Sequence, residues 1–318
     1  MQKHIRPGVV SIPRMARRQV FTEALNPYFG FFYTIKKSLK KLKTKYQQLE
    51  LVDTDEFGTV LLLDNITQVA ERNDSHYHEP MVHPALCCHP KPESVLVIGG
   101  GDGGILKEVN KCKLVKKIDI AELDGEVISF SRKYLNAVHG GCFDDPRLSI
   151  HVVDGREFTK SNPGKYDVII MDMTDPYGPS RMLYTREFFK TVKRAFKDEH
   201  GIFVMHSESP VSRPAAFSCI QKTLQSVFTN VNPFYLYIQM YAVLWSITVC
   251  SDTIESKSIR PATIDRKLTK YGIGDLQVYS GATHAAMQVG FPYINQILKQ
   301  PARIITDARP DFPDDFIS

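Results

Sequence analysis

Five acidic side chains in the middle of this 318-residue chain recur at spacings that suit a positively charged nucleoside. In "VLVIGGGDGG" (95–104), Gly99, Gly101 and Gly104 fit G-x-G-x-x-G. That turn normally cradles a pyrophosphate with backbone N–H groups and a helix N-terminus. Asp102 sits inside it and would repel a pyrophosphate at short range. Glu122 follows 20 residues later, a spacing suited to gripping ribose hydroxyls. Asp154 in "VVDGREF" can accept a hydrogen bond from an adenine amino group, and Asp172 and Asp175 occur together in "DMTDPYGP". The ligand that reconciles a nucleotide-type turn with these acids is adenosine bearing a cation, a sulfonium nucleoside. Each acid also has a plainer reading as a helix N-cap, and Asp124 before "GEVISF" fits that one.

The elements that must position these residues can be read from periodicity. "VLVIG" is a buried strand, "ILKEVNKC" a helix, and "KKIDIAELD" a strand leading into the helix "GEVISFSRKYL". "LSIHVVDG", "YDVIIMD" and "GIFVMHS" continue the strands, while "TREFFKTVKRAF" and residues 214–228 continue the helices. This alternation predicts an α/β fold with a Rossmann-like, doubly wound sheet, whose ligands sit at the carboxyl ends of its strands. Four successive strand ends carry the acids. Upstream, residues 30–70 have the texture of β-hairpins, with Asp/Gly punctuation between β-rich runs. The expected division is a small N-terminal β-domain over 1–77 and a catalytic domain with a C-terminal extension over 78–318. The tail "ITDARPDFPDDFIS" reads as extended.

The chain is 43% apolar, enough for a sizeable core, with no apolar run of the ~20 residues a membrane helix needs. "MQKHIRPGVV" is basic without an apolar h-region, so no secretory signal is expected. Six cysteines without CxxC spacing point to reduced thiols and a cytoplasmic setting. The net charge of +5 is uneven: residues 1–50 hold 11 Lys/Arg against Glu23 and Glu50, and the rest is net negative. "KKSLKKLKTK" (36–45) carries no nucleic-acid motif and no interleaved aromatics, so it is expected to be a solvated hairpin face. No nucleic-acid or membrane partner is expected. The histidines of "SHYHEPMVHPALCCHP" match no standard zinc spacing, and no metal is assigned.

A second cluster suits an amine. "NDSHYHEP" brings Asp74, Tyr77, His78 and Glu79 near the domain junction, and acids with a tyrosine attract polyamines, pairing with ammonium groups while the ring packs on methylenes. In order, "YHE", "GGGDGG", "ELD", "DGREF" and "DMTDPYGP…LYTREFF" make the chain resemble the spermidine synthase family, the polyamine aminopropyltransferases, over nearly its whole length.

The resemblance implies decarboxylated S-adenosylmethionine as a co-substrate with no separate cofactor, an amine acceptor, and a homodimer or homotetramer. It implies that Gln47, Gly99, Gly101, Asp102, Glu122, Asp154 and Gly155 surround the donor, with Asp102 on its aminopropyl ammonium. It implies Asp172 as base, Tyr77 orienting the attacking amine, and an acceptor pocket of Tyr77, His78, Asp175, His206, Glu208, Tyr241 and Trp245. His206 stands where the family often has Gln. The segment 237–246 departs from the Pro- and Gly-rich strand of many spermidine synthases, and Trp245 is similar to the thermospermine synthase branch; that residue can be read as core or as pocket wall. Putrescine is the expected acceptor, with spermidine, cadaverine and agmatine left open. A methyltransferase of the same fold, a non-catalytic binding paralogue and a nicotinamide dehydrogenase are the competing readings. The acids oppose a methyl donor's carboxylate and a dinucleotide's pyrophosphate.

Overall fold

The computed structural model describes residues 18–176 and 178–313, and for 178 and 179 the backbone only. The basic start of the chain, Tyr177 and the last five residues lie outside it. The first sheet is an antiparallel meander in sequence order: β1 (Gln19–Asn26), β2 (Phe29–Lys43), β3 (Gln48–Thr54), β4 (Thr59–Leu63) and β5 (Ile66–Ala70). One of its two-residue turns shows why the sequence forms hairpins. Asp64 and Asn65, joining β4 to β5, both have positive φ (48° and 61°), which residues of this type tolerate and a two-residue hairpin turn demands. The basic run lies largely exposed along β2, with Lys36 paired to Asp53 and Asp55 and Lys41 to Glu50, as expected of a solvated face.

Helix α1 (Ser75–Cys88) follows, and the division expected after residue 77 falls within it. It contains Pro80 and Pro84, which each remove a helical N–H, so local propensity does not select it. Burial does: every residue except His76 is buried, and Met81, Val82 and Leu86 are fully so, each contributing roughly 1.5–3 kcal/mol.

The second sheet contains β6 (Ser94–Gly99), β7 (Lys117–Glu122), β8 (Leu148–Val152), β9 (Val168–Asp172), β10 (Ile202–His206), β11 (Asn230–Ile238) and β12 (Val243–Ser251), in the order β11-β12-β10-β9-β6-β7-β8. All neighbours are parallel except that β12 runs against β10 and β11. Every residue of β6 and β10 is buried, as strands covered on both faces require. The helices are α2 (Gly104–Asn110), α3 (Gly125–Tyr134), α4 (Asn136–His139), α5 (Gly155–Lys160), α6 (Arg186–Ala195), α7 (Pro214–Gln225), α8 (Pro261–Tyr271), α9 (Gly281–Met287) and α10 (Pro292–Lys299). No described helix is long and apolar enough to cross a membrane.

The chain enters this sheet in the middle, at β6, builds outward through β7 and β8, and then returns to place β9 on the other side of β6. The order reverses between β6 and β9, and that is where an open α/β sheet leaves a crevice. The antiparallel sheet is tied to the same region: Asn26 donates to the Ser212 carbonyl (3.2 Å), Tyr241 to the Gln68 carbonyl (2.9 Å), and Asn73 to Gln239 (3.0 Å). One apolar cluster, running from Leu25, Ile35 and Val52 through Val95 and Val97 to Trp245, spans both sheets.

Candidate active site

The reversal point is built from backbone first. Gly99 ends β6 opposite Asp172, with φ of +79°, and Gly100 follows at +72° and donates its N–H to the Asp172 carbonyl (3.0 Å). A Cβ on Gly99 would lie 2.1 Å from that carbonyl oxygen, so only glycine lets β6 turn here. The turn then presents Asp102, whose Oδ1 accepts the Gly104 N–H (2.7 Å) at the start of α2.

Asp172 emerges beside it, at the end of β9. Its Oδ1 accepts a hydrogen bond from the Tyr77 hydroxyl at 2.7 Å. Burial and the neighbouring Asp102 charge push its carboxyl up to about 7, against the pull of His78 and the Tyr77 hydrogen bond. Tyr77 is itself held well above the ordinary phenol range by burial and by Asp172, so it stays a donor. His78 is buried, with Nε2 3.9 Å from Asp102 and Nδ1 3.6 Å from Asp74. Burial works against its charge, but the carboxylates of Asp74 and Asp102 outweigh it and raise its pKa. Asp74 also pairs with Lys107.

On the other side of the turn, Glu122 ends β7. One oxygen accepts the Asp124 N–H (2.9 Å); the other lies 3.0 Å from where a Cβ on Gly101 would sit. Burial, with Asp124 and Asp172 nearby, raises Glu122 to about 7. Gln47, from the loop before β3, reaches across the domains to Asp124 (3.2 Å), which also accepts from Thr44 (2.7 Å). Asp124 caps α3, as its position suggests, and Asp154 caps α5 through the N–H groups of Arg156 and Glu157. Asp154 is nonetheless exposed at its strand end, and Gly155 packs so close to Ile98 that a Cβ would meet it at 2.5 Å. Capping and ligand binding are therefore compatible readings of the same acid.

The expected acceptor residues form a second wall. Tyr77, Tyr241, Trp245 and His206 follow one another ring to ring at centroid separations of 6.2, 5.3 and 5.8 Å. Tyr241 and Trp245 do not share a strand: a 3-10 turn over Gln239–Tyr241 and a left-handed Ala242 (φ 52°) reverse the chain between β11 and β12, which corrects the single strand expected over 237–246. Trp245 is both core and wall, being 7% exposed. His206 Nε2 meets the Met173 carbonyl and the Tyr184 hydroxyl, both at 2.8 Å. The carbonyl can only accept, so the proton is on Nε2 and Nδ1 keeps its lone pair; burial favours this neutral ring. Nδ1 of His206 and Nε1 of Trp245 are buried without a hydrogen-bond partner among the described residues.

Two residues that sequence reasoning passed over complete the far end. Arg213, just before α7, is buried and donates to Asp175 (2.7 Å) and Glu208 (3.4 Å), while its Nε binds the Leu25 carbonyl of β1 (2.9 Å). Glu23 of β1 is within electrostatic range of Asp175 and Arg213. Ligand atoms of Asp175, His206 and Glu208 lie within 4.8 Å of one another, but the guanidinium already bridges the two carboxylates. Glu79, by contrast, faces away from the cluster: it accepts the N–H groups of Gln277, Val278 and Tyr279, each at 2.8 Å, and ties down the C-terminal segment.

Comparison with known proteins agrees with this geometry. The model for the spermine/spermidine synthase domain matches residues 74–259, and that for the spermidine synthase tetramerisation domain matches 19–71. The chain belongs to the spermine/spermidine synthase family. It is 37% identical to a polyamine aminopropyltransferase of Nitrosomonas europaea over 90% of this chain and 87% of that protein, and 33% identical to one from Bacillus subtilis over 88% and 98%. A spermidine synthase crystallised with the transition state analogue AdoDATO superposes with a TM-score of 0.83 at 31% identity, covering 88% of this chain and 94% of that one. Thermotoga maritima spermidine synthase gives 0.82 at 30%, covering 89% and 95%. The expected Rossmann-like core with its small β-domain thus stands, and the chain is an aminopropyltransferase of this family.

Proposed function

We propose that this aminopropyltransferase moves the aminopropyl group of decarboxylated S-adenosylmethionine to putrescine, giving spermidine and methylthioadenosine, with Asp172 as general base. The observation that carries the reading is the half-buried Asp172 carboxylate, hydrogen-bonded to Tyr77 and with its pKa raised to about 7, at the point where the sheet order reverses. A base poised near the working pH suits removal of a proton from an amine whose free pKa is ~10. The neutral nitrogen attacks the carbon next to the sulfonium. The C–S bond breaks, its electron pair stays on sulfur as a thioether, and the proton passes to Asp172. Alignment does most of the remaining work.

Asp102 holds the donor's ammonium and repels the carboxylate of ordinary S-adenosylmethionine. Glu122 takes the ribose hydroxyls, Asp154 and Gly155 the adenine, with Gln47, Gly99 and Gly101 around them. Tyr77 and His78 flank the attacking nitrogen; Asp175, Glu208, His206, Tyr241 and Trp245 hold the rest of the amine. The bare Nδ1 of His206 supports this, because an ammonium supplies the hydrogen that it lacks. We further propose a homodimer or homotetramer assembled through the N-terminal sheet, whose β1–β2 hairpin exposes Tyr28, Phe29 and Phe32, and a cytoplasmic setting for a chain whose six cysteines are all buried. Incubating the enzyme with donor and a panel of amines, with products identified by mass, tests the reading. Spermidine from putrescine is the expected result; a higher kcat/KM for spermidine than for putrescine overturns the acceptor assignment.

A further inference from the structure

The chain beyond α10 lies along the catalytic domain and is held there through its backbone. Ile305 is fully buried; its N–H donates to the Thr223 hydroxyl of α7 (2.9 Å), and its carbonyl accepts the N–H of Arg186 at the start of α6 (2.9 Å). The Asp307 N–H donates to Glu187 (2.9 Å). None of these contacts uses the Asp307 side chain, which makes a separate set of its own. One of its oxygens accepts the Thr185 hydroxyl at 2.6 Å, and the other pairs with the Arg156 guanidinium. Arg156 donates in turn to the Met182 carbonyl (2.6 Å) and to the Thr185 side-chain oxygen (3.2 Å). A threonine hydroxyl has one hydrogen, and the short contact assigns it to Asp307. The same oxygen is then free to accept from Arg156 and to cap α6 at the Phe188 N–H (3.3 Å).

Tyr184 stands between the two residues gripped in this way. It is fully buried, and its hydroxyl donates to the Thr174 carbonyl (3.1 Å) and meets Nε2 of His206 (2.8 Å). Thr174 lies between Asp172 and Asp175 in the chain. One hydroxyl thus supports both a ring of the acceptor wall and the backbone between the two acids. We propose that Asp307 is a positioning residue for the amine site: through Arg156 and Thr185 it fixes the segment 182–185, and with it the Tyr184 hydroxyl. The inference rests on the aminopropyl-transfer reading. Its effect is one-sided. Asp154, assigned to the adenine, is held by the backbone N–H groups of Arg156 (2.7 Å) and Glu157 (3.2 Å), which do not depend on the Arg156 side chain. Loss of the Asp307 carboxylate therefore disturbs the amine side and spares the nucleoside side. A misplacement of ~1 Å can cost about 10²-fold in rate, so a modest shift of Tyr184 is enough to be read.

The test measures kcat and KM for putrescine at saturating donor, and the Kd of methylthioadenosine by calorimetry, in wild type and three variants. Asp307→Ala is expected to lose at least fivefold in kcat/KM, while the Kd of methylthioadenosine stays within twofold of wild type. Asp307→Asn keeps an oxygen for Thr185 and loses the charge facing Arg156, so its loss should be smaller. Asp311→Ala removes the exposed pair with Arg181 from the same segment and should keep the wild-type kcat/KM within twofold. A loss below fivefold in folded Asp307→Ala overturns the proposal. So does a rise in the Kd of methylthioadenosine equal to the loss in kcat/KM, which marks general loosening of the domain. So does an equal loss in Asp311→Ala, which means that any weakening of the C-terminal segment suffices. If urea unfolding shows that Asp307→Ala does not fold, Asp307→Asn decides: at least a twofold loss with unchanged methylthioadenosine binding is expected, and wild-type kcat/KM overturns the proposal. A wild-type enzyme that transfers to no amine would instead overturn the underlying reading.

Discussion

Asp172→Asn separates chemistry from stability in one variant, because the same burial that tunes the carboxylate also makes it costly. Burial and Asp102 move its pKa from 3.8 to about 7 in the folded protein. An unfolded chain leaves it near 3.9. Below pH ~4 the group is protonated in both states, and its contribution to stability is fully present. As pH rises towards 7 the unfolded state releases the proton and the folded state does not, so stability is lost; above pH ~7 the loss is complete. Three pKa units correspond to about 4 kcal/mol as an upper bound. Asparagine keeps the shape and still accepts the Tyr77 hydrogen bond, but carries no charge to bury. The variant should therefore unfold in urea with about 2–4 kcal/mol more stability than wild type at pH 8.5, and with no more than about 1 kcal/mol more at pH 4.5, at matched protein concentration. Its turnover should fall by roughly 10²–10⁴, while methylthioadenosine still binds. An increment equal at both pH values would refute the electrostatic account, and near-normal turnover would remove Asp172 from the role of base.

Other changes test the neighbours. Wild-type kcat/KM should fall about tenfold per pH unit below pH ~7 as Asp172 protonates; Tyr77→Phe removes the hydrogen bond that lowers that pKa, so the midpoint should move upward, and a pH–rate profile that does not move counts against the pairing. Asp102→Asn should weaken decarboxylated S-adenosylmethionine and narrow its advantage over the carboxylated form; an unchanged affinity ratio, measured by calorimetry, rejects selection by charge. Gly104→Ala would put a Cβ 2.0 Å from the buried His78 ring, so thermal unfolding should drop by several degrees, reflecting the roughly 1–3 kcal/mol of overpacking, and an unaltered Tm would show that the ring moves freely.

Much of the frame was legible because it is local. The strands β6 to β10 announce themselves as short apolar runs, and the hairpins of the first sheet as β-rich runs separated by Asp and Gly. The acids at the strand ends were legible for a topological reason: in an alternating strand–helix chain, the residue after each strand must lie on the ligand face, so Asp102, Glu122, Asp154 and Asp172 could be grouped before any distance was known. What stayed hidden depends on burial or on chain reversal. Helix α1 contains two prolines and is selected by the packing on its other residues. Glu79 and Tyr77 are neighbours in one motif, yet one caps a distant backbone segment and the other faces Asp172, a difference set by which side of α1 each occupies. Tyr241 and Trp245 look like one strand until a left-handed Ala242 separates them.

Arg213 is the clearest case. In the sequence it is one of 40 Lys and Arg residues, next to a proline in a loop, and nothing in its type or spacing distinguishes it from a solvated surface cation. Only the fold brings it under β1, where the Leu25 carbonyl and two carboxylates from successive loops converge on one guanidinium. Asp175 and Glu208 were readable as acids; the guanidinium they share was not, because the neighbours of a buried charge come from segments far apart in the chain.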